Sequence, residues 1–165
     1  MIRISLPLSS TPIDKLVESC LREVQVSQTK TVWLNGCFDI LTPAHIELFS
    51  VARSLAGSKG RVIVGLDSDA KVRNSKGPTR PINTFVDRKI MLESIRYIDL
   101  VLEFSDRKGL ENLIQMVKPD IMLLGGDWRN GDVVGRDYCQ DVRFLDRREG
   151  YSSTEIIRRC KDACE

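Results

Sequence analysis

The sequence is poor in the residue types that most often mark a chemical site. It has one histidine among 165 residues, and only 6% of its residues are aromatic. No apolar run approaches the roughly 20 residues that cross a bilayer, and the first residues lack the apolar core of a signal peptide. The five cysteines match no zinc-binding spacing. We therefore expect a cytoplasmic protein with reduced thiols, no membrane partner and no metal ion held by its own side chains.

Neither sign of charge dominates the sequence. Lysine and arginine number 25, aspartate and glutamate number 23, and the net charge is +2. A nucleic-acid partner would favour a strongly basic surface, so we expect none. With 42% hydrophobic residues, a chain of this length can bury the core of one domain.

Strand-like and helix-like segments alternate along most of the chain. Apolar and β-branched runs predict five strands, near 31–34, 61–66, 97–104, 120–124 and 142–145. Helices between them give an α/β fold, a Rossmann-like, doubly wound parallel five-stranded sheet in a single domain. The polar stretch 67–84 is expected to be a loop. In the helix expected at about 85–96, four apolar side chains should face the core: Val86, Ile90, Met91 and Ile95.

Residues 1–30 differ from the domain of residues 31–165 that follows them. Ser9-Ser10-Thr11-Pro12 is a helix start signal, and apolar residues follow at helical spacing: Ile13, Leu16, Val17, Cys20, Leu21 and Val24. This pattern predicts an extra N-terminal helix that packs on the domain or on a partner chain.

The single histidine follows the first predicted strand. Residues 35–45 lead from that strand into a helix whose first turn holds His45. A helix N-terminus offers free backbone N–H groups and favours anions, and an imidazole can donate a hydrogen bond to a phosphate oxygen. Gly36 would let the backbone come close to a phosphate. The stretch predicts a phosphate site, and a structural histidine is the alternative.

Two glycine-containing polar clusters come after later strands, so the sheet would bring them to the same edge. The first carries the cations Lys71, Arg73, Lys76 and Arg80, which could neutralise a triphosphate. Its alternative is an ordinary solvated loop. The second is Gly125-Gly126-Asp127-Trp128, where the glycines permit close approach of a ligand and a tight turn is the alternative.

A hydroxyl-rich cluster opens the last predicted helix. Ser152, Ser153 and Thr154 follow Arg147 and Arg148. Ser152 with Glu155 forms a capping box by sequence, which explains the pattern without any ligand. Hydroxyl groups and backbone amides at a helix start, preceded by arginines, also predict a second phosphate site.

With these motifs in place, the chain resembles the cytidylyltransferase-like nucleotidyltransferases over about residues 31–160. Their Gly-x-Phe-Asp loop matches 36–39, and their His-x-x-His signature falls on 42–45. Arg80-Pro81-Ile82-Asn83 and the double glycine before Asp127 are most similar to the heptose 1-phosphate adenylyltransferase (ADP-heptose synthase) branch, which serves lipopolysaccharide or capsule biosynthesis. Glycerol-3-phosphate cytidylyltransferase is the next nearest.

The resemblance implies an enzyme that transfers AMP or CMP from ATP or CTP to a sugar phosphate such as heptose 1-phosphate, with Mg²⁺ as cofactor and pyrophosphate as product. Three alternatives stay open. One is a cytidylyltransferase for glycerol 3-phosphate or another alcohol phosphate, and one is an AMP transferase for a flavin-type phosphate. The third is a nucleotide-binding regulatory homologue with little turnover. Dimers are common in this family, so a homodimer is also implied as a possible assembly.

The resemblance also implies roles for individual residues. The catalytic set is His45, Lys76, Arg73 and Thr42. Contacts to the nucleotide are implied for Gly36, Cys37, Phe38, Gly126, Asp127, Arg147, Ser152, Ser153 and Thr154. Asp39, Asp69, Arg88 and Trp128 are placed on the substrate side, where Asp39 and Arg88 would mainly support the site's geometry.

Three positions depart from the family's pattern. The first signature histidine falls on Thr42, the signature glycine falls on Ala44, and Leu124 stands where the heptose branch often carries lysine. A threonine hydroxyl can donate a hydrogen bond but cannot carry a positive charge. If that histidine stabilises the transition state, its loss would cost roughly 3 kcal/mol.

Overall fold

A parallel five-stranded sheet forms the centre of the computed structural model, which describes residues 29–146, 150 and 152–163. Its strands are β1 (Thr31–Gly36), β2 (Arg61–Asp67), β3 (Leu100–Phe104), β4 (Ile121–Gly125) and β5 (Asp141–Leu145). They pair in the order β3-β2-β1-β4-β5, and every pair is parallel. The predicted doubly wound α/β fold is confirmed. β2 and β3 are added on one side of β1, and β4 and β5 on the other, so the strand order reverses between β1 and β4. Folds of this kind bind ligands at that point.

Helices connect the strands and cover both faces of the sheet. They are α1 (Pro43–Ala56), α2 (Asp69–Lys76), α3 (Phe85–Glu93), α4 (Arg107–Val117) and α5 (Ser153–Asp162), with short 3₁₀ turns at Gly126–Trp128 and Arg136–Tyr138. Alternate residues of a strand point to opposite faces. Val32 therefore packs in a cluster with Phe49 of α1 and Leu92 of α3, whereas Trp33 packs with Ile114 of α4 on the other face. The predicted N-terminal helix lies outside the described residues.

The prediction of a loop over 67–84 is wrong for its first part, because α2 lies there. Ser68 caps this helix, and its hydroxyl oxygen accepts the Lys71 backbone N–H at 3.3 Å. Val72 is fully buried and anchors the helix to the domain. The sequence did not predict this helix because its composition is polar and it buries a single apolar residue, Val72. As a result, Arg73 and Lys76 project from a helix rather than from a loop.

Helix α3 is rotated relative to its predicted orientation. Of the four side chains predicted to face the core, Met91 and Ile95 are partly buried, whereas Val86 and Ile90 are 55% and 56% exposed. The buried side chains of this helix are Arg88 and Leu92. The apolar pattern failed here because an arginine occupies the inward face.

Candidate functional site

The loop between β1 and α1 places the family's signature at the ligand-binding edge of the sheet. Phe38 is 6% exposed and has a φ of 45°, in the left-handed region. Its ring lies edge-on to the His45 ring at 5.5 Å between centroids and contacts Phe49 at 5.3 Å. A Cβ at Gly36 would lie 3.2 Å from the Phe38 ring, so a glycine fits best there. Phe38 thus supports the His45 ring from the core.

Thr42 and His45 are joined at the start of α1. Thr42 is the N-cap residue, and its backbone N–H donates to His45 Nδ1 at 3.1 Å. The Thr42 hydroxyl lies 3.2 Å from the same nitrogen, and Thr42 is 3% exposed. Because Nδ1 accepts a hydrogen bond, the proton of the neutral imidazole lies on Nε2. This arrangement fixes the ring and makes Nε2–H the hydrogen-bond donor.

Asp39 ties the segment after α2 to the β1–α1 loop. Its carboxylate is 1% exposed and accepts hydrogen bonds from Arg80 Nε at 2.7 Å, the Ile82 N–H at 2.9 Å and the Asn83 N–H at 2.8 Å. Burial by itself would raise the pKa of this carboxyl. The backbone donors of Asn83 and Ile82, together with the Arg80 guanidinium, outweigh burial and hold the pKa below its ordinary value.

Arg88 connects three segments from inside the protein. It is completely buried, and all three of its guanidinium nitrogens donate to protein oxygens. The acceptors are the Cys37 carbonyl at 2.6 Å, the Asp69 carboxylate at 2.7 Å and the Asn83 carbonyl at 3.1 Å. This geometry favours a supporting role for Arg88 and for Asp69 over contact with substrate.

Sequence reasoning placed Arg80 among the cations that could face a triphosphate and did not name Asn83 as a site residue, whereas both bond directly to Asp39. Arg80 Nη2 is buried and has no hydrogen-bond partner among the described residues. The only sequence signal was the Arg-Pro-Ile-Asn stretch, which the resemblance used as a marker of the branch. Its physical role is to position Asp39 and the loop that follows β1.

Helix α2 brings positive charge to the same edge. Arg73 and Lys76 are exposed on it. Burial raises the pKa of the Cys37 thiol, and the positive charge of Lys76 is the largest influence opposing that rise. Lys76 is therefore close enough to the β1–α1 loop to act on it electrostatically. Lys71 is held apart from this pair, because its ammonium lies 2.9 Å from the Asp67 carboxylate and over the Phe104 ring.

The start of α5 also faces the β1–α1 loop. Ser153 donates its hydroxyl to the Ile40 carbonyl at 3.2 Å, and this contact joins the first and last motifs of the chain. Ser152 caps the helix by accepting the Glu155 N–H at 3.1 Å. Thr154 is exposed. Arg147, which was predicted to bind here, lies outside the described residues.

The 3₁₀ turn after β4 forms the opposite side of the site. A Cβ on Gly126 would come within 2.5 Å of an Asp146 carboxylate oxygen, so no larger residue fits without movement. Asp127 is exposed, and Trp128 is 53% exposed. β4 is hydrogen-bonded to β1, so this turn and the His45 loop lie on either side of the point where the strand order reverses.

Two further properties concern the described part of the chain. None of its helices combines the length and apolar content needed to cross a membrane. Within the same residues, no three His, Cys, Asp or Glu side chains are grouped so that they could hold a metal ion.

Comparison with known proteins identifies the family. The model described as cytidylyltransferase-like matches residues 33–159, which is more than half of the chain. The chain belongs to this family. The match includes the His45 loop, α2 and the turn after β4, so the predicted family is confirmed and the chain is assigned to the nucleotidyltransferase enzymes.

Curated relatives of this cytidylyltransferase-like chain include several proteins named bifunctional protein HldE. That of Campylobacter concisus (strain 13826) is 42% identical over 139 residues, which cover 84% of this chain and 29% of the relative. That of Helicobacter pylori (strain Shi470) is 38% identical over 153 residues, covering 93% of this chain and 31% of the relative. The chain thus spans less than a third of the length of these relatives.

Solved structures share the fold. The lipopolysaccharide core biosynthesis protein from Thermoplasma volcanium GSS1 matches with a TM-score of 0.58 at 22% identity, covering 75% of this chain and 99% of that chain. A bifunctional NMN adenylyltransferase/ADP ribose pyrophosphatase from Francisella tularensis gives 0.56 at 14% identity, covering 82% and 42%. At these identities the likeness concerns the fold alone.

Proposed function

We propose that this chain transfers AMP from ATP to a sugar phosphate of the heptose 1-phosphate type and releases pyrophosphate. One observation carries the proposal: His45 is held at the N-terminus of α1 with its Nδ1 accepting the Thr42 N–H, which places the N–H donor of the ring at Nε2. The relatives named HldE support the choice of the heptose branch. A helix N-terminus and an imidazole donor suit a phosphorus centre that gains negative charge.

In this proposal the reaction is a single displacement at phosphorus. A phosphate oxygen of the acceptor attacks the α-phosphorus of ATP, a new P–O bond forms, and the bond to the bridging oxygen of the leaving pyrophosphate breaks. His45 Nε2–H donates to a non-bridging oxygen of the α-phosphate, whose charge grows in the transition state. No covalent enzyme intermediate is needed, because positioning and charge stabilisation supply the rate.

The leaving pyrophosphate is assigned to α2. Arg73 and Lys76 are exposed cations on α2, and the charge of Lys76 acts on Cys37 in the β1–α1 loop; both would neutralise the charge that moves onto the β- and γ-phosphates. Mg²⁺ would enter with the triphosphate, whose oxygens are the hard ligands that it prefers. When bound, it would neutralise part of the phosphate charge.

The nucleoside is assigned to the side of the site near β4. Gly126 allows close approach of the backbone, and the half-exposed Trp128 offers an apolar surface beside it. The start of α5, joined to the loop through Ser153, would supply backbone N–H groups to a phosphate or the ribose. CTP in place of ATP, with glycerol 3-phosphate as acceptor, is the alternative within the same chemistry.

The test is release of pyrophosphate by the purified chain with Mg²⁺, with ATP or CTP paired in turn with heptose 1-phosphate or glycerol 3-phosphate. We expect turnover with ATP and heptose 1-phosphate, and none with ATP when the acceptor is omitted. Turnover only with CTP would reassign the nucleotide. If no pair reacts while the nucleotide binds, the transfer to these acceptors is refuted.

A nucleotide-binding homologue with little turnover is the second candidate, and Thr42 is the observation that favours it. This residue is 3% exposed and supports His45, but it adds no charge to the site. Thr42→His distinguishes the two. If the natural chain is an impaired enzyme, the variant gains turnover at unchanged ATP affinity. If Thr42 belongs to a working site, the variant loses activity, because a larger ring must displace buried neighbours.

A further inference from the structure

Helix α3 presents an apolar surface that no described residue covers. Ile82, Val86 and Ile90 are 57%, 55% and 56% exposed. They are spaced four residues apart, and Val86 and Ile90 lie one turn apart on the same side of the helix. We call these three side chains the α3 stripe. Isolated exposed apolar residues are common on protein surfaces, but an aligned set of large ones is typical of a contact surface.

The sequence before Thr29 carries a matching apolar pattern. Within residues 13–24, six apolar side chains recur at helical spacing: Ile13, Leu16, Val17, Cys20, Leu21 and Val24. A helical segment with this pattern would present about 16 Å of apolar side, at 1.5 Å per residue. Val86 and Ile90 lie one turn apart, about 6 Å on the same basis, and Ile82 lies in the segment that precedes the helix.

The chain leaves the described domain close to the end of α3. The Lys30 carbonyl accepts the Arg61 N–H at the start of β2, and the next residue of β2, Val62, exchanges hydrogen bonds with Asp99. Asp99 lies in the short connection between α3 and β3. Neighbouring strands are about 5 Å apart, so Lys30 and this connection are about 10 Å apart. The five residues from Val24 to Thr29 can span about 17 Å.

We propose that residues 13–24 pack against the α3 stripe of the same chain. The contact would bury apolar side chains on both sides and fix the outer surface of α3. The inner surface of α3 holds Arg88, whose hydrogen bonds position the β1–α1 loop and the start of α2. The extension would thereby stabilise the helix that supports the site, without contributing a residue to it.

Photo-crosslinking in the full chain tests the contact directly. A benzophenone-bearing residue (p-benzoylphenylalanine) replaces Val86, and the same residue at Lys108 is the control, since Lys108 lies on α4 at the other face of the sheet and is 73% exposed. We expect the probe at position 86, on irradiation, to form a link to a peptide within 13–24, in a product of single-chain mass. A product of doubled mass, a link elsewhere or no link would overturn the proposal, and so would an equal link from position 108.

Hydrogen exchange provides a second readout that does not depend on the probe. In the full chain, Leu21→Asp places a charge in the apolar pattern, and Ser19→Asp places the same charge outside it. We expect the backbone amides of α3 to exchange at least about tenfold faster in Leu21→Asp, because burial of a leucine side chain contributes that much to a local opening equilibrium. Ser19→Asp should leave their exchange unchanged. Equal exchange in both variants would contradict the proposal.

Discussion

The two halves of the site are built in different ways. The supporting half consists of Asp39 and Arg88 with their partners, and here the buried Asp39 carboxylate and Arg88 guanidinium are bonded to backbone and side-chain groups. The cationic half consists of Arg73 and Lys76, which are exposed on α2. Buried charges are costly unless bonded, so the first half specifies geometry. Exposed cations do not carry this cost of burial, and they can rearrange around a ligand. The second half is therefore suited to contact with phosphates.

Of the substitutions that test this comparison, those of Arg88 should have the largest effect, and the property that they change is the free energy of unfolding. Arg88→Met leaves the Cys37 and Asn83 carbonyls without their donor, so we expect a loss of about 3 kcal/mol in the free energy of unfolding. Arg88→Lys should recover only part of it, because an ammonium cannot reproduce the three directed bonds. Urea denaturation measures both. Arg73→Met is the exposed control and should change stability by less than about 0.5 kcal/mol. Equal stability of the two methionine variants would remove the distinction between the halves.

Removal of the Lys76 charge from α2 should lower turnover and leave folding intact. We expect Lys76→Met to lower the rate of pyrophosphate release about 100-fold, because one donor to a developing charge contributes that much. The urea midpoint should stay at the wild-type value. Lys108→Met, on the other face of the sheet, is the matched control and should retain full activity. Wild-type turnover in Lys76→Met would show that α2 does not contact the phosphates.

The Asp39 carboxyl should make stability depend on pH in the acid range. Its pKa is lowered in the folded protein, so its contribution is fully present above the unfolded pKa of about 3.9 and is lost as the pH falls through the folded pKa. Asp39→Asn should therefore flatten the decrease of unfolding free energy below about pH 4. Urea denaturation at a series of pH values measures this slope. A variant slope identical to wild type would contradict the assignment.

Thr42 should have the smallest effect of the residues considered. Thr42→Ala removes the hydroxyl beside His45 Nδ1 but keeps the backbone N–H that also bonds this nitrogen. We expect kcat to fall about threefold to tenfold, which corresponds to about 1 kcal/mol for one neutral hydrogen bond. The KM for ATP should not change. Thr42→Ser restores the hydroxyl and should restore kcat, and a serine variant as slow as the alanine variant would exclude this role of the hydroxyl.

The sequence was sufficient to predict the parts of the molecule that depend on regular patterns. β-branched runs predicted the strands, and their alternation with helices predicted a parallel sheet with polar clusters at one edge. The link between the first and last motifs, Ser153 to Ile40, spans 113 positions and follows from that topology. No local pattern could specify it, but the order of strands and helices implied that both ends meet.

The rest depended on individual polar interactions that periodicity does not reveal. Arg88 is buried in a helix that exposes Val86 and Ile90, and two of its three acceptors, on Cys37 and Asp69, lie 51 and 19 positions away. Helix α2 was missed because it has one buried apolar residue, Val72, and an N-cap that is easily taken for a turn. The supporting role of Arg80 was missed because its partner, Asp39, is 41 positions away.

In the mechanism that we propose, the supporting half holds His45 so that its Nε2–H stabilises the reacting phosphate. His45→Asn tests this most directly, because the asparagine oxygen can accept the Thr42 N–H as Nδ1 does, while no donor remains at the position of Nε2. We would measure pyrophosphate release at saturating ATP and acceptor, with ATP affinity and the urea midpoint as controls. We expect a kcat about 100-fold to 1,000-fold lower, with both controls unchanged. Wild-type turnover in His45→Asn would contradict it.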